Sequence, residues 1–172
     1  MENLRATHRW HPRYRDNPLV IILSIWWLIF AAISFYWAAG GMWLIDTAVQ
    51  QEGIDLAHER PAWIVLLVLA TGVVKLLPVL FGYLLVAPVG RVIPWILYAL
   101  GGIGAGVLSM AYGVLFTIPG IRYMLNGGAM TTYGWMRLLV WMPQFWVGGL
   151  LLVLVTIVFL VHKPWRVDKE KQ

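Results

Sequence analysis

The chain has 172 residues, of which 60% are hydrophobic and 12% charged, with a mean hydropathy of +0.74. Those values lie outside the range of soluble domains and leave room for one domain of a few membrane-spanning helices. The net charge of +5 gathers at the two ends of the chain, which fits a membrane surface and argues against nucleic acid, and the lack of cysteine excludes disulfides, thiolate metal sites and thiol nucleophiles.

Residues 1–17 form a basic, aromatic lead-in that carries Arg5, Arg9, Arg13 and Arg15 beside Trp10 and Tyr14. Arginines next to a span, with aromatic rings at headgroup depth, are the ordinary flank of a membrane helix. The apolar run that follows is too long for the h-region of a signal peptide, and no small-residue cleavage site follows it. It reads as a retained signal anchor.

The predicted fold is all-α: a polytopic integral membrane protein, with an antiparallel bundle of four transmembrane helices filling residues 18–162. The expected spans are 19–40, 62–86, 92–117 and 140–161, and residues 163–172 form a second basic tail. Pro18 suits the first turn of the first span. That span runs into Phe35-Tyr36-Trp37-Ala-Ala-Gly40-Gly41-Met-Trp43, where adjacent glycines mark a helix end, a close helix contact or an opened backbone. Residues 46–61 hold Asp46, Glu52, Asp55 and Glu59, with His58. Their spacing matches no metal-ligand motif, so they read as a solvated loop, with no metal and no cofactor implied.

The second span carries Lys75, the single formal charge in an apolar stretch that runs from Trp63 to Tyr83. A helix through this stretch puts an ammonium near mid-membrane, at a cost of about 2.5–3.5 kcal/mol that demands a partner, water or a ligand. Pro78, three residues on, removes a backbone donor and is expected to bend the helix there. The third span holds Gly102 and Gly106, a pair at the spacing that lets helix backbones approach, either within the monomer or in a homodimer. Pro119-Gly120 is read as its end, and residues 121–140 as an interfacial or re-entrant segment. The fourth span contains Phe145-Trp146-Val-Gly148-Gly149, a faint echo of the aromatic–diglycine element on the first.

Orientation follows from the basic residues. With both termini on one side, that side holds nine of the 13, the other side holds three, and the last is Lys75. This asymmetry puts both termini in the cytoplasm of a bacterial inner membrane.

Phe35-Tyr36-Trp37-Ala38-Ala39-Gly40-Gly41-Met42-Trp43 resembles an element of a family of small bacterial four-span membrane proteins classed as a domain of unknown function. Gly90-Arg91-Val-Ile-Pro94-Trp95 and Phe145-Trp146-Val-Gly148-Gly149 add to the likeness. The long arginine-rich lead-in departs from that family's shorter form. The resemblance implies four helices and a membrane location, and supplies no catalytic residues.

Three functions fit these residues. The first is a binding or transport-accessory role, in which Lys75 meets an anionic or lipid-like small molecule in a pocket walled by Tyr36, Trp37 and Trp146, with Asp46 at its outer end. The second is an assembly role, in which the glycine face of the third span docks other membrane proteins. In the third, a desolvated Lys75 acts as general base or Schiff-base amine on a lipid-soluble substrate. No carboxylate or histidine inside a span completes such an active site, so no catalytic residue is assigned.

Overall fold

A computed structural model of the chain describes residues 17–87 and 94–162. Residues 1–16, 88–93 (with Arg91) and 163–172 lie outside the described residues, and most of the charges that orient the chain lie there. Among the described residues every regular element is helical. Four helices are long and apolar enough to cross a membrane: Pro18–Ala38, Ala62–Val86, Trp95–Leu125 and Thr132–Val161.

The first is α1 (Pro18–Ala38), started by the Asn17 side chain, whose Oδ1 accepts the Leu19 N–H at 3.0 Å. Its end is set by Gly40-Gly41. Gly40 has φ +102°, its N–H donates to the Trp37 carbonyl, and the Gly41 N–H donates to the Tyr36 carbonyl. These two bonds close the helix with a left-handed residue that glycine adopts without penalty. Gly40 and Gly41 were expected to pack helices, but they lie beyond α1, in this turn.

The polar connection is not an open loop. It folds into α2 (Ile45–Ala48) and α3 (Gln51–Glu59), and α3 turns Glu52, Asp55, His58 and Glu59 outward. Arg60 then adopts a left-handed backbone, φ 51°, before Pro61. A non-glycine residue pays about 1–2 kcal/mol for that conformation. In return, its guanidinium lies over Gly40 and donates to the Ala38 carbonyl at 2.8 Å. A cation there satisfies a carbonyl at the negative end of α1.

The second long helix, α4 (Ala62–Val86), runs through Pro78 without interruption. The third consists of α5 (Trp95–Tyr98), the π-turn π1 (Ala99–Gly104) and α6 (Ala105–Leu125). It does not stop at Pro119-Gly120 but continues to Leu125. In apolar surroundings a broken helix exposes several unpaired carbonyls, a worse outcome than one lost bond at proline. The real stop is Asn126-Gly127-Gly128. Gly127 has φ +80°, and the N–H groups of Gly127 and Gly128 donate to the Met124 and Tyr123 carbonyls, repeating the turn that ends α1. The fourth helix begins early, as α7 (Thr132–Met136), the π-turn π2 (Arg137–Trp141) and α8 (Pro143–His162).

The long helices pack side by side in the order α4, α1, α8, α6, each antiparallel to the next. Leu23 and Trp27 of α1 meet Leu152, Val155 and Phe159 of α8, with Leu85 and Tyr98 closing the same cluster. Toward the other end, Phe30 meets Trp141 and Met142. The outer faces of α4 and α6 are lined with exposed leucines and valines such as Leu66, Leu77, Leu108 and Leu115. Lipid covers such faces at no cost, which is why the long helices can stay apolar nearly all round.

Candidate functional site

Gly72, Lys75, Val79 and Gly82 recur at alternating three- and four-residue spacing on α4, the period of a seam between two helices. Gly72 lies against the Phe35 ring, and Gly82 against Val20, Leu23 and Ser24. Lys75 occupies this seam, so its side chain faces α1 and not the lipid side. Its Nζ donates to Ser34 Oγ at 2.7 Å, and Ser34 Oγ donates onward to the Phe30 carbonyl at 3.1 Å. Ser34 is 1% exposed.

An ammonium has three donors, and this geometry uses one. None of the eight carboxylates of the chain falls within the four apolar helices. Two further buried donors, Trp27 Nε1 and Gln144 Nε2, have no partner among the described residues. Trp27 shares the buried face of α1 with Ser34, and Gln144 is 2% exposed on α8. The interior is therefore rich in donors and poor in acceptors, which is costly in apolar surroundings unless an acceptor is supplied.

Lys75 is the fourteenth of the 25 residues of α4. Helix side chains lean toward their own N-terminus, so Lys75 reaches toward the start of α4. Its partner Ser34 stands four residues before the end of α1, about 6 Å along the axis at 1.5 Å per residue. The ammonium thus lies about one turn from the end of α1 that Arg60 caps.

The other predicted wall residues divide. Tyr36 and Trp37 stand at this same end of α1. The Tyr36 ring packs on Gly41, and Trp37 Nε1 donates to the Trp43 carbonyl at 2.8 Å while its ring lies 5.3 Å from that of Trp141. Trp146 belongs instead to the contact of α8 with α6, where its backbone nitrogen faces Gly113. Asp46 is exposed in the first turn of α2. The two aromatic–diglycine elements also part company, since Gly148 packs against Trp26 and Trp27 inside the bundle.

Gly102, Gly106 and Gly149 do pack helices, and they do so within the chain. A Cβ on Gly106 would meet the Gly149 carbonyl oxygen at 2.8 Å and Val153 at 2.6 Å, and one on Gly149 would meet the Gly106 carbonyl. Gly102 lies against Thr156. Ser109 Oγ bridges the same interface to the Phe145 carbonyl at 2.9 Å. The glycine face proposed for docking other proteins is covered by α8.

Sequence reasoning missed Ser34 and Arg60. A lone hydroxyl late in an apolar span was the available signal for Ser34. Nothing local predicts that Arg60 folds back onto α1, because that depends on the geometry of α3. Also missed was a cavity of about 450 Å³ between the end of α6 and the segment from Ala129 to Met142. None of Lys75, Tyr36, Trp37, Trp146 or Asp46 lines it.

Four apolar helices and a lysine in the seam between two of them define a small multi-pass membrane protein. The chain belongs to the family described as "Protein of unknown function (DUF3995)", whose model matches residues 27–152, more than half of the sequence. No curated protein and no solved structure matches it.

Proposed function

We propose that this is an integral protein of the bacterial cytoplasmic membrane, termini inside, that holds an anionic amphiphile at the α1–α4 seam in a binding or transport-accessory role. The observation that carries the reading is Lys75, with one hydrogen bond to Ser34 and no carboxylate in any of the four helices. A carboxylate or phosphate head bound there accepts hydrogen bonds from the remaining ammonium N–H groups and replaces water lost on burial. The position one turn from the end of α1 suits a head group whose chain lies along the outer face of α4, where Val73, Val74 and Leu77 are exposed. Tyr36 and Trp37 supply aromatic surface at the same level, and Arg60 supplies a second cation nearby. Trp146 and Asp46 have no part in this site.

The reading is tested by extracting the organic molecules carried by purified protein and weighing them against the bulk membrane lipids. Wild type should carry an enriched anionic amphiphile that Lys75→Met, equally folded, lacks. Wild type and variant carrying only bulk lipid in the same proportions would contradict it.

A further inference from the structure

The cavity at the end of α6 has its own chemistry, independent of Lys75. Its volume of about 450 Å³ falls within the range of small-molecule sites, roughly 300–1,000 Å³. Phe116, Tyr123 and Leu138 give it an aromatic and apolar wall, Gln50 reaches in from the connection between α2 and α3, and among the described residues Arg137 is its single charge. Gln50 thus joins two neighbouring stretches, 116–123 and 129–142, around one arginine.

Arg137 is held in place. Its Nη1 donates to the Tyr133 hydroxyl at 2.9 Å, and the guanidinium stands 6.0 Å from the centre of the Tyr133 ring. It is the first residue of π2, where the wide turn is closed by the Met142 N–H donating to the Arg137 carbonyl at 2.9 Å. The extra residue of a π-turn shifts the helix register. Trp141 can thereby remain in the core while Arg137 and Leu138 face the cavity. The guanidinium carries five donors and never loses its charge, and its edge is shaped for bidentate oxygen pairs. Among the described residues no carboxylate lines the cavity.

From this geometry we infer that the cavity between α6 and α7–π2 is a second binding site, for a monoanionic carboxylate with an aromatic or apolar body. One cation balances one negative charge, which favours a carboxylate over a doubly charged phosphate. The aromatic wall takes the body of the ligand.

The test uses para-trifluoromethylbenzoate as probe, read by fluorine NMR on full-length protein in nanodiscs of neutral lipid, with the uncharged benzamide as control. Saturable binding of the benzoate, with at least about tenfold loss in Arg137→Gln, is expected from a charge-assisted bidentate contact. Gly120→Phe provides a variant that keeps the arginine and fills the cavity, since an added Cβ at Gly120 meets only Leu138, at 3.9 Å. It should abolish binding while leaving the thermal unfolding midpoint near that of wild type. Repeating the titration in discs of anionic lipid separates two sources of the same chemistry. Displacement of the probe assigns the cavity to a lipid carboxylate or head group, and retention assigns it to a free solute; either supports an anion site. Equal binding of benzoate by wild type and folded Arg137→Gln, or equal binding of benzoate and benzamide, would overturn the inference.

Discussion

The two outer helices of the bundle are attached in opposite ways. On one side α6 meets α8 through Gly102, Gly106, Gly113 and Gly149, with backbone against backbone and Ser109 bonded across the contact. On the other side α4 meets α1 through a seam that also has glycines, Gly72 and Gly82, but places Lys75 between them. The first contact is complete: its small residues and hydroxyls have partners within the chain. The second holds a cation that, among the described residues, has one hydrogen-bond partner and no anionic one. In a membrane, where apolar surface gives helices no reason to associate, close packing and polar bonds hold them together. A seam that keeps an unbalanced charge gives up stability, and intramembrane charges are kept for function more often than for packing.

If the contrast is sound, the largest effect on folding comes from the glycine side. Gly106→Leu should destabilise the protein by about 3 kcal/mol or more, because the new side chain meets the Gly149 carbonyl and Val153 with nowhere to move. Reversible unfolding in bilayers measures this directly. On the lysine side, Lys75→Met should leave folding stability equal or higher, because replacing a poorly paired buried charge by an apolar chain is commonly neutral or stabilising. A large loss of stability in that variant would make Lys75 a structural residue.

Arg60→Ala removes the guanidinium from the Ala38 carbonyl, and should cost about 1 kcal/mol and fray the last turn of α1. Hydrogen exchange should localise the change to residues near Ala38 and leave α6 and α8 as protected as before. Smallest of all, Leu108→Ala on the outer face of α6, 72% exposed, should shift stability by less than about 0.5 kcal/mol, provided lipid is its only neighbour. A larger shift would mean that a protein partner covers this face.

Much of the architecture could be read from the residues, because span length, proline at helix starts and glycine pairs act locally. The second helix was bounded at 62–86 by Pro61 and by the end of the apolar run. Pro119 misled for a physical reason. One proline removes one helical hydrogen bond and bends a helix without having to end it, whereas a left-handed residue closes it. Asn126-Gly127-Gly128, with its left-handed glycine, was the stronger signal. The site was legible only in part. Lys75 stood out as an isolated charge, but the spacing of Gly72, Lys75, Val79 and Gly82 that marks its face was overlooked. Ser34, the cap by Arg60 and the cavity at Arg137 come from segments far apart in sequence, so no local pattern announces them. Trp146 entered the expected wall through its likeness to Trp37, yet its backbone lies against Gly113 of α6.

The most direct measurement is native mass spectrometry of gently extracted protein, wild type beside Lys75→Met. An anionic amphiphile retained by the wild type and absent from an equally folded variant is the expected result. Identical spectra with no bound molecule, from two folded proteins, would contradict ligand binding and leave Lys75 as a bond between two helices.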